Sequence, residues 1–273
     1  DFDQSALPTT VVDSLQRVDE QLRNLLNIRQ KVRGFDITSA KVLKYYTQSN
    51  ELLLSITPSV SAISENAQVS RKIQAYFNFL QGKELAGLER AVISAVFSNN
   101  HFTTDSYQQF ISLTSKQSSF LSTFNTFSEA AQIEFFQQAM REQSVSEVAK
   151  FRELALANSE RGNFNVDPTQ WFQASTGRIN QLKRVEDNLN NDILIFSAKQ
   201  RENADFQFNT LAALSAILVI FTLTASAWII SQMTQQVSAV TDAIRSSSSN
   251  KDLTVRAEQL TRDELGTSAY SLN

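Results

Sequence analysis

The most constraining feature of the sequence is an uncharged apolar run from Phe208 to Ile230, FNTLAALSAILVIFTLTASAWII. The nearest ionisable residues are Asp205 before it and Asp242 after it. A helix needs about 20 apolar residues to cross the hydrocarbon core of a bilayer, and Trp228 lies where an aromatic ring favours the membrane interface. The alternative is a core helix of a large soluble protein, but such helices seldom stay uncharged over this length. The run therefore predicts one transmembrane helix, residues 206–231.

The composition of the chain indicates long helices joined by few tight turns. The 273 residues include six glycines and three prolines, which strands and tight turns use more often, and no cysteine. Without cysteine there are no disulfides, no thiolate catalysis and no zinc–thiolate sites. A formal charge of -3 argues against a nucleic-acid surface, so we expect no nucleic-acid partner. The predicted fold class is all-α: a helical bundle over residues 1–205, the transmembrane helix, and a short helical module over residues 232–273.

The first predicted helix, Pro8–Gly34, carries an arginine on its apolar seam. A first-turn proline and a C-terminal glycine define its ends. Arg29 lies on the seam, and Arg33 follows one turn later, so both guanidinium groups can point to the same place. The apolar positions of the seam recur at alternating spacings of four and three residues: Val11, Leu15, Val18, Leu22, Leu25 and Val32.

The last helix before the membrane repeats this pattern. Asp167 and Pro168 are typical of an N-cap followed by a first-turn proline. Arg178 interrupts a stripe that is otherwise apolar, and the helix can continue without a break into the run at Phe208. The apolar members of the stripe are Trp171, Ala174, Leu182, Val185 and Leu189.

The intervening sequence predicts several further helices. One spans Ile37–Ile56, and Pro58 breaks or kinks it. The next spans residues 59–98, with Glu84 on an apolar line and Gly87 allowing close helix approach. Three shorter helices follow at residues 104–128, 129–143 and 144–157, and a helical pattern beyond the membrane is broken at residues 246–250.

No catalytic constellation is present in the sequence. The single histidine, His101, lies in a polar turn without an obvious partner. There is no glycine loop for phosphate and no cluster with the spacing of metal ligands. We therefore expect neither enzymatic activity nor a cofactor nor a metal site.

The arginines on apolar seams admit two explanations. A buried guanidinium is costly unless it is paired. Its partner can be a carboxylate from another helix, with Glu84, Glu89 and Glu186 available, or a small exogenous anion. The planar guanidinium can donate two parallel hydrogen bonds to a planar oxyanion, and nitrate has that geometry. The residues alone leave both explanations open.

Two stretches resemble the nitrate- and nitrite-sensing domain of bacterial receptors. The first, AYFNFLQGKELAGLERAVISAVF at Ala75–Phe97, resembles the central signature of that family. The second, Trp171–Leu189, is similar to its Trp…Thr-x-Arg-Ile…Leu…Val-Glu stretch, with Gly177 at the variable position. The matching elements of the first stretch are Lys83, Glu84, Gly87, Glu89, Arg90 and Ala91. The resemblance covers most of residues 8–200.

This resemblance implies nitrate or nitrite as the ligand. It favours Arg29, Arg33 and Arg178 as ligand-binding residues. Arg90 is a fourth candidate, although its neighbour Glu89 offers it a structural ion pair instead.

Residues 229–273 resemble a HAMP linker, through KDLTVR at Lys251–Arg256 and RDELG at Arg262–Gly266. The family usually has a proline early in its first helix, where this chain has glutamine. HAMP modules act in the cytoplasm as parallel dimers, so the resemblance implies a homodimer with residues 232–273 cytoplasmic and residues 1–205 periplasmic. It also implies a signalling role for Asp263 and Glu264.

These observations predict a transmembrane receptor in a bacterial inner membrane. Its sensor domain binds nitrate or nitrite and signals through the HAMP linker to an output, for which a chemotaxis domain is the first expectation. A histidine kinase or a cyclic-dinucleotide enzyme is also compatible as output. Two other functions stay open: a receptor for a carboxylate or an amino acid, and a membrane-anchored structural or adhesion protein.

Overall fold

The computed structural model describes residues 7–64, 66–250, 254, 256 and 264–271, and every regular element within them is an α-helix. This confirms the predicted all-α class. The helices are α1 (Thr9–Arg23), α2 (Leu25–Arg33), α3 (Ser39–Ile63), α4 (Ala67–Asn99), α5 (Thr104–Phe127), α6 (Ala130–Ala139), α7 (Gln143–Ala157), α8 (Pro168–Asn250) and α9 (Glu264–Ser271). Contacts divide the chain into two units, residues 1–199 and 200–273, and α8 contributes to both.

The predicted first helix is wrong in two respects. It is interrupted at Asn24, which separates α1 from α2, and its buried line shares Val11 and Val18 with the apolar seam but also includes Ser14 and Ile28, each one position before a seam residue. Ser14 is buried and donates to the carbonyl of Thr10, while Gln21 on the same line donates to Ser49 at 3.2 Å. Because hydrogen bonds satisfy these polar side chains, Ser14 can be buried and Gln21 half-buried before the line continues to Ile28. The adjacent Arg29 is exposed.

Two predicted helix breaks are also absent. The helix α3 continues through Pro58 to Ile63, and Asn66 caps the start of α4. The Asn66 side chain accepts hydrogen bonds from the backbone N–H groups of Gln68 and Val69. Residues 246–250 stay helical at the end of α8, because this stretch has no glycine or proline and serine lowers helix propensity only slightly.

The predicted start of the last helix is confirmed. The Asp167 carboxylate accepts a hydrogen bond from the backbone N–H of Thr169 at 2.8 Å, and Pro168 is the first residue of α8. The helix then runs without a break into the apolar stretch that begins at Phe208.

The core of the first unit consists of two apolar clusters, both built around α4 and α8. The first cluster also uses α5, α7 and the loop before α8, and its rings surround Trp171, which is fully buried. The second cluster adds α5 and α6 and centres on Phe79 and Phe124, whose rings meet edge to face with centroids 5.2 Å apart. On α4, α5 and α8 a polar side chain separates the members of the two clusters.

Two glycines set the distance between neighbouring helices, and Gly87 is not one of them. A Cβ on Gly177 would lie 2.7 Å from the Cβ of Ser144 on α7, and a Cβ on Gly82 would lie 3.1 Å from Leu121 on α5. A Cβ on Gly87 would meet no atom within 4 Å. The prediction for Gly87 is therefore wrong, and close approach is needed at Gly177, the residue before Arg178.

Ionic side chains hold α8 to α4 further along the helix. Lys83 pairs with Glu186, and Lys72 pairs with Asp192 of α8 and with Glu129 at 2.8 Å each. Lys72 is 5% exposed and its ammonium lies 5.2 Å from the centre of the Phe196 ring. Burial alone would lower the pKa of Lys72, but its hydrogen bonds to Asp192 and Glu129 outweigh that effect and raise it.

The second unit contains the apolar part of α8. Among the described residues one helix is long and apolar enough to cross a membrane, and none of its apolar window is buried by protein. Its large side chains, such as Leu211, Ile220 and Phe221, are each more than 60% exposed.

Candidate anion-binding site

A buried polar cluster joins four helices between the apolar layers of the first unit. Its members are Glu89 on α4, Gln117 on α5, Arg152 on α7 and Arg178 on α8. Glu89, Gln117 and Arg178 lie on buried helix faces, whereas the Arg152 side chain is 27% exposed. Along α5, for example, Gln117 lies midway between the buried Phe110 and Phe124.

Glu89 is the acceptor at the centre of this cluster. Its two carboxylate oxygens accept parallel hydrogen bonds from Nε and Nη2 of Arg152, both at 2.6 Å. The amide nitrogen of Gln117 donates to the same carboxylate at 2.9 Å. Glu89 is 1% exposed, so its charge is compensated by these donors and not by solvent.

Arg178 faces this cluster with an incompletely used guanidinium. Its Nη1 and Nη2 both donate to Oε1 of Gln117 at 3.1 Å, and Nη1 lies 3.6 Å from Oε2 of Glu89. Arg178 is 7% exposed. Both terminal nitrogens are thus bonded to one amide oxygen, and no hydrogen bond joins Nε to any of the described residues.

The cluster has a net charge of +1, because it contains two arginines and one glutamate. Burial and the neighbouring charge of Arg152 lower the pKa of Arg178 to about 10, while Glu89 acts in the opposite direction. Arg178 is therefore charged at neutral pH. Two guanidinium groups share one carboxylate, and an arrangement of this kind favours a bound anion.

Arg90 lies next to this cluster but bonds elsewhere. Its Nη1 donates to Oγ1 of Thr176 at 2.9 Å, and its guanidinium lies 4.9 Å from the centre of the Phe172 ring. The ion pair that the sequence offered it with Glu89 is not formed. Glu89 bonds to Arg152, and Trp171 donates its indole N–H to the Arg90 carbonyl at 3.0 Å.

The structure does not join Arg29 and Arg33 to Arg178. Both lie exposed on α2. Neither forms a hydrogen bond or an ion pair with any residue in the described ranges, and no such contact links α2 to α8. Their predicted role in ligand binding stays a prediction.

The two residues predicted to signal are at the far end of the chain. Asp263 lies outside the described residues. Glu264 is the first residue of α9 and is exposed. Their predicted role is not tested by these positions.

Of the three carboxylates proposed as partners for a buried arginine, one contacts Arg178. Glu89 does so, whereas Glu84 accepts from Asn50 at 2.9 Å and Glu186 pairs with Lys83. The two explanations for Arg178 thus coexist: a carboxylate is nearby, but Arg152 already occupies both of its oxygens.

Arg152 and Gln117 were missed at the sequence level, although the same pattern marks them. Arg152 lies four residues after Val148 and three before Ala155, both buried on α7. Gln117 lies seven residues from a buried phenylalanine on either side. Polar residues on an apolar helix line are the available signal in both cases.

The other chemistry of the described residues is sparse. No group of histidine, aspartate and glutamate within these ranges has an arrangement that could hold a metal ion. His101 is exposed, and its Nδ1 lies 2.8 Å from the carbonyl oxygen of Asn99.

Comparison with known proteins gives the site a context. The nitrate regulatory protein of Klebsiella oxytoca is 27% identical to this chain over 173 residues, which are 63% of the chain and 43% of that protein. The solved structure of the NasR transcription antiterminator superimposes with a TM-score of 0.67 at 24% identity, over 72% of this chain and 53% of that one. The chain thus spans about half the length of these relatives.

That solved structure is of a transcription antiterminator, and our expectation that this chain has no nucleic-acid partner stays a prediction. The family assignment confirms the resemblance that the stretches Ala75–Phe97 and Trp171–Leu189 indicated. Residues 1–194 match the nitrate and nitrite sensing family, so the chain belongs to that family.

Proposed function

We propose that this chain is the sensory part of a transmembrane receptor and that it binds nitrate or nitrite at Arg178. The observation that carries the proposal is the guanidinium of Arg178, 7% exposed and hydrogen-bonded among the described residues only to the Gln117 amide oxygen, in a cluster of surplus positive charge. A planar monovalent oxyanion can accept two parallel hydrogen bonds from such a fork. Membership of the nitrate and nitrite sensing family supports this choice of anion.

Further donors are proposed from the sequence. Arg29 and Arg33 supply charge from α2, and Arg90 lies one residue from Glu89 and bonds to Thr176, two positions before Arg178. A desolvated anion is better compensated by several donors than by one. We keep these three arginines as proposed secondary contacts to an anion held first by Arg178. For Arg29 and Arg33 this requires α2 to approach α8, to which no hydrogen bond or ion pair among the described residues joins it.

Residues 1–205 are proposed to be periplasmic, residues 206–231 to cross a bacterial inner membrane and residues 232–273 to form a cytoplasmic HAMP linker. The support for the membrane segment is an apolar helix surface that no part of the described chain covers. The support for the linker is the sequence resemblance at Lys251–Arg256 and Arg262–Gly266.

The proposed signal passes along α8, which carries Arg178 near its start and the apolar segment further on. Binding biases one of two packings in a HAMP homodimer, with Asp263 and Glu264 at the start of its second helix. A chemotaxis domain is the proposed output.

A calorimetric titration of the full chain in detergent micelles tests the ligand. Nitrate, nitrite, chloride, acetate and glutamate form the panel. We expect binding of nitrate or nitrite and weaker or no binding of the others. If acetate or glutamate binds most tightly, the ligand is a carboxylate and not nitrate. If none of the five anions binds, the cluster has a structural role.

A topology experiment tests the receptor. A reporter fused after residue 250 is expected in the cytoplasm and a reporter within residues 1–205 in the periplasm. A periplasmic reporter after residue 250 would contradict the proposed orientation.

A further inference from the structure

We propose that Glu89 sets the charge of the ligand and restricts the site at Arg178 to anions with a single negative charge. This inference rests on the proposed function, since it specifies which anions that site accepts.

The argument begins with the charges in the cluster. Arg152 and Arg178 contribute two positive charges and Glu89 contributes one negative charge. Among the described residues, Arg152 and Glu89 are the charged groups that shift the pKa of Arg178. One monovalent anion therefore brings the cluster to neutrality. A divalent anion would leave one negative charge uncompensated in a buried place, which is strongly unfavourable.

The geometry makes the charge of Glu89 a permanent part of the site. Arg152 binds both of its oxygens at 2.6 Å and Gln117 donates to one of them at 2.9 Å. With 1% of Glu89 exposed, water cannot replace these donors. The carboxylate therefore stays in place when an anion binds beside it, and its field acts on every anion that approaches Arg178.

The test compares two tetrahedral anions of similar size, perchlorate and sulfate, which differ in charge. The full chain in detergent micelles is titrated with each of them and with nitrate. For the parent we expect tighter binding of perchlorate than of sulfate. The substitution Glu89→Gln removes the negative charge with little change in shape, so the ratio of sulfate to perchlorate affinity should rise at least about tenfold.

Two further variants separate charge from local disturbance. The double variant Glu89→Gln, Arg152→Met leaves Arg178 as the charged member of the cluster, so the net charge is again +1. Its preference for perchlorate over sulfate should match that of the parent. Arg152→Gln removes one positive charge and keeps an amide that can donate to Glu89, so Arg178 and Glu89 leave a neutral cluster. That variant should lose at least about tenfold in nitrate affinity.

The outcomes are distinguishable. If folded Glu89→Gln keeps the parent's ratio of sulfate to perchlorate, Glu89 does not set the charge of the ligand. If Glu89→Gln does not fold, Arg152→Gln decides: unchanged nitrate affinity overturns the inference and its loss supports it. If the parent binds neither nitrate nor nitrite, the proposed function fails first and this inference fails with it.

Discussion

Two arginines that look alike in the sequence differ completely in the structure. The pattern placed both Arg29 and Arg178 on apolar seams. Arg178 is 7% exposed and belongs to a cluster of four helices, whereas Arg29 is exposed and has no hydrogen-bond or ion-pair partner among the described residues. The difference comes from their neighbours, since a guanidinium can be buried only where other polar groups are buried with it. Burial of an arginine is thus a property of several helices together.

The largest effect is expected for Arg178→Ala, which removes the main proposed donor. Losing one charged donor to a bound anion costs about 1.5–3 kcal/mol, or about ten- to a hundredfold in affinity. The variant should stay folded, because Arg152 still binds both oxygens of Glu89. Calorimetric titration with nitrate measures the loss.

The matched control is Arg184→Ala on the same helix. Arg184 is exposed and bonds only to Gln181, three residues earlier, as far as the described residues show. Its removal should leave nitrate affinity unchanged. Equal affinities for the parent and Arg178→Ala would place the site elsewhere.

The second prediction concerns the glycine before Arg178. A Cβ at position 177 would lie 2.7 Å from Ser144 Cβ, so Gly177→Ala must push α8 away from α7 and with it Arg178 from Arg152. Overpacking of this kind destabilises a protein by about 1–3 kcal/mol. Gly87→Ala meets no atom within 4 Å and should instead stabilise by about 0.5–1 kcal/mol.

Chemical denaturation of both glycine variants measures these opposite signs, and nitrate titration shows whether Gly177→Ala also weakens binding. Adding Ser144→Gly should restore much of the lost stability, since it removes the atom in contact. Equal stability of the two alanine variants would show that helix spacing does not depend on position 177.

A smaller effect is expected for Arg29→Ala. If α2 supplies a secondary contact, nitrate affinity should fall about tenfold or less, which corresponds to about 1.4 kcal/mol. The free energy of unfolding should change by less than about 0.5 kcal/mol, because Arg29 is exposed. Arg29→Lys should rescue binding poorly, since an ammonium lacks the planar fork.

If the parent, Arg29→Ala and Arg33→Ala bind nitrate with the same affinity, α2 does not contribute to the site. The comparison between the two arginines would then be complete: one binds the anion and the other is a solvated surface residue.

The smallest change is expected from pH. Burial lowers the pKa of Arg178 to about 10, so the side chain stays charged well above neutral pH. Nitrate affinity should therefore be constant between about pH 6 and pH 9. A decrease with a midpoint near neutral pH, measured by titration calorimetry in buffers of equal ionic strength, would show that a group other than Arg178 controls binding.

The sequence predicted the helices that depend on local signals and failed where distant groups decide. The start of α8 at Asp167 and Pro168 was correct, because an N-cap and a first-turn proline act within a few residues. The seam of α1 was partly wrong, because Ser14 is buried and Gln21 half-buried through hydrogen bonds that a count of apolar residues ignores.

The same distinction applies to the candidate site. Arg178 was found from the stripe of its own helix. Arg152 and Gln117 matter because they meet Glu89 from α7 and α5, and that meeting depends on packing between segments distant in sequence. A sequence pattern can mark a polar residue on a buried face, but only the packed helices show which residues share one carboxylate.

The contacts of Lys72 have a consequence for local opening of α8. They tie the helix to the bundle as far as Asp192 and Phe196, and from residue 197 to residue 207 only Gln200 is partly buried. No hydrogen bond or ion pair joins this stretch to another described helix. Its amide protons are therefore expected to exchange with solvent faster than those of residues 171–189, which are covered by packed side chains. If residues 208–230 lie in a bilayer that excludes water, rapid amide exchange in this part of α8 will be confined to residues 197–207. The residues on either side of that segment will be protected, by the bundle on one side and by the bilayer on the other.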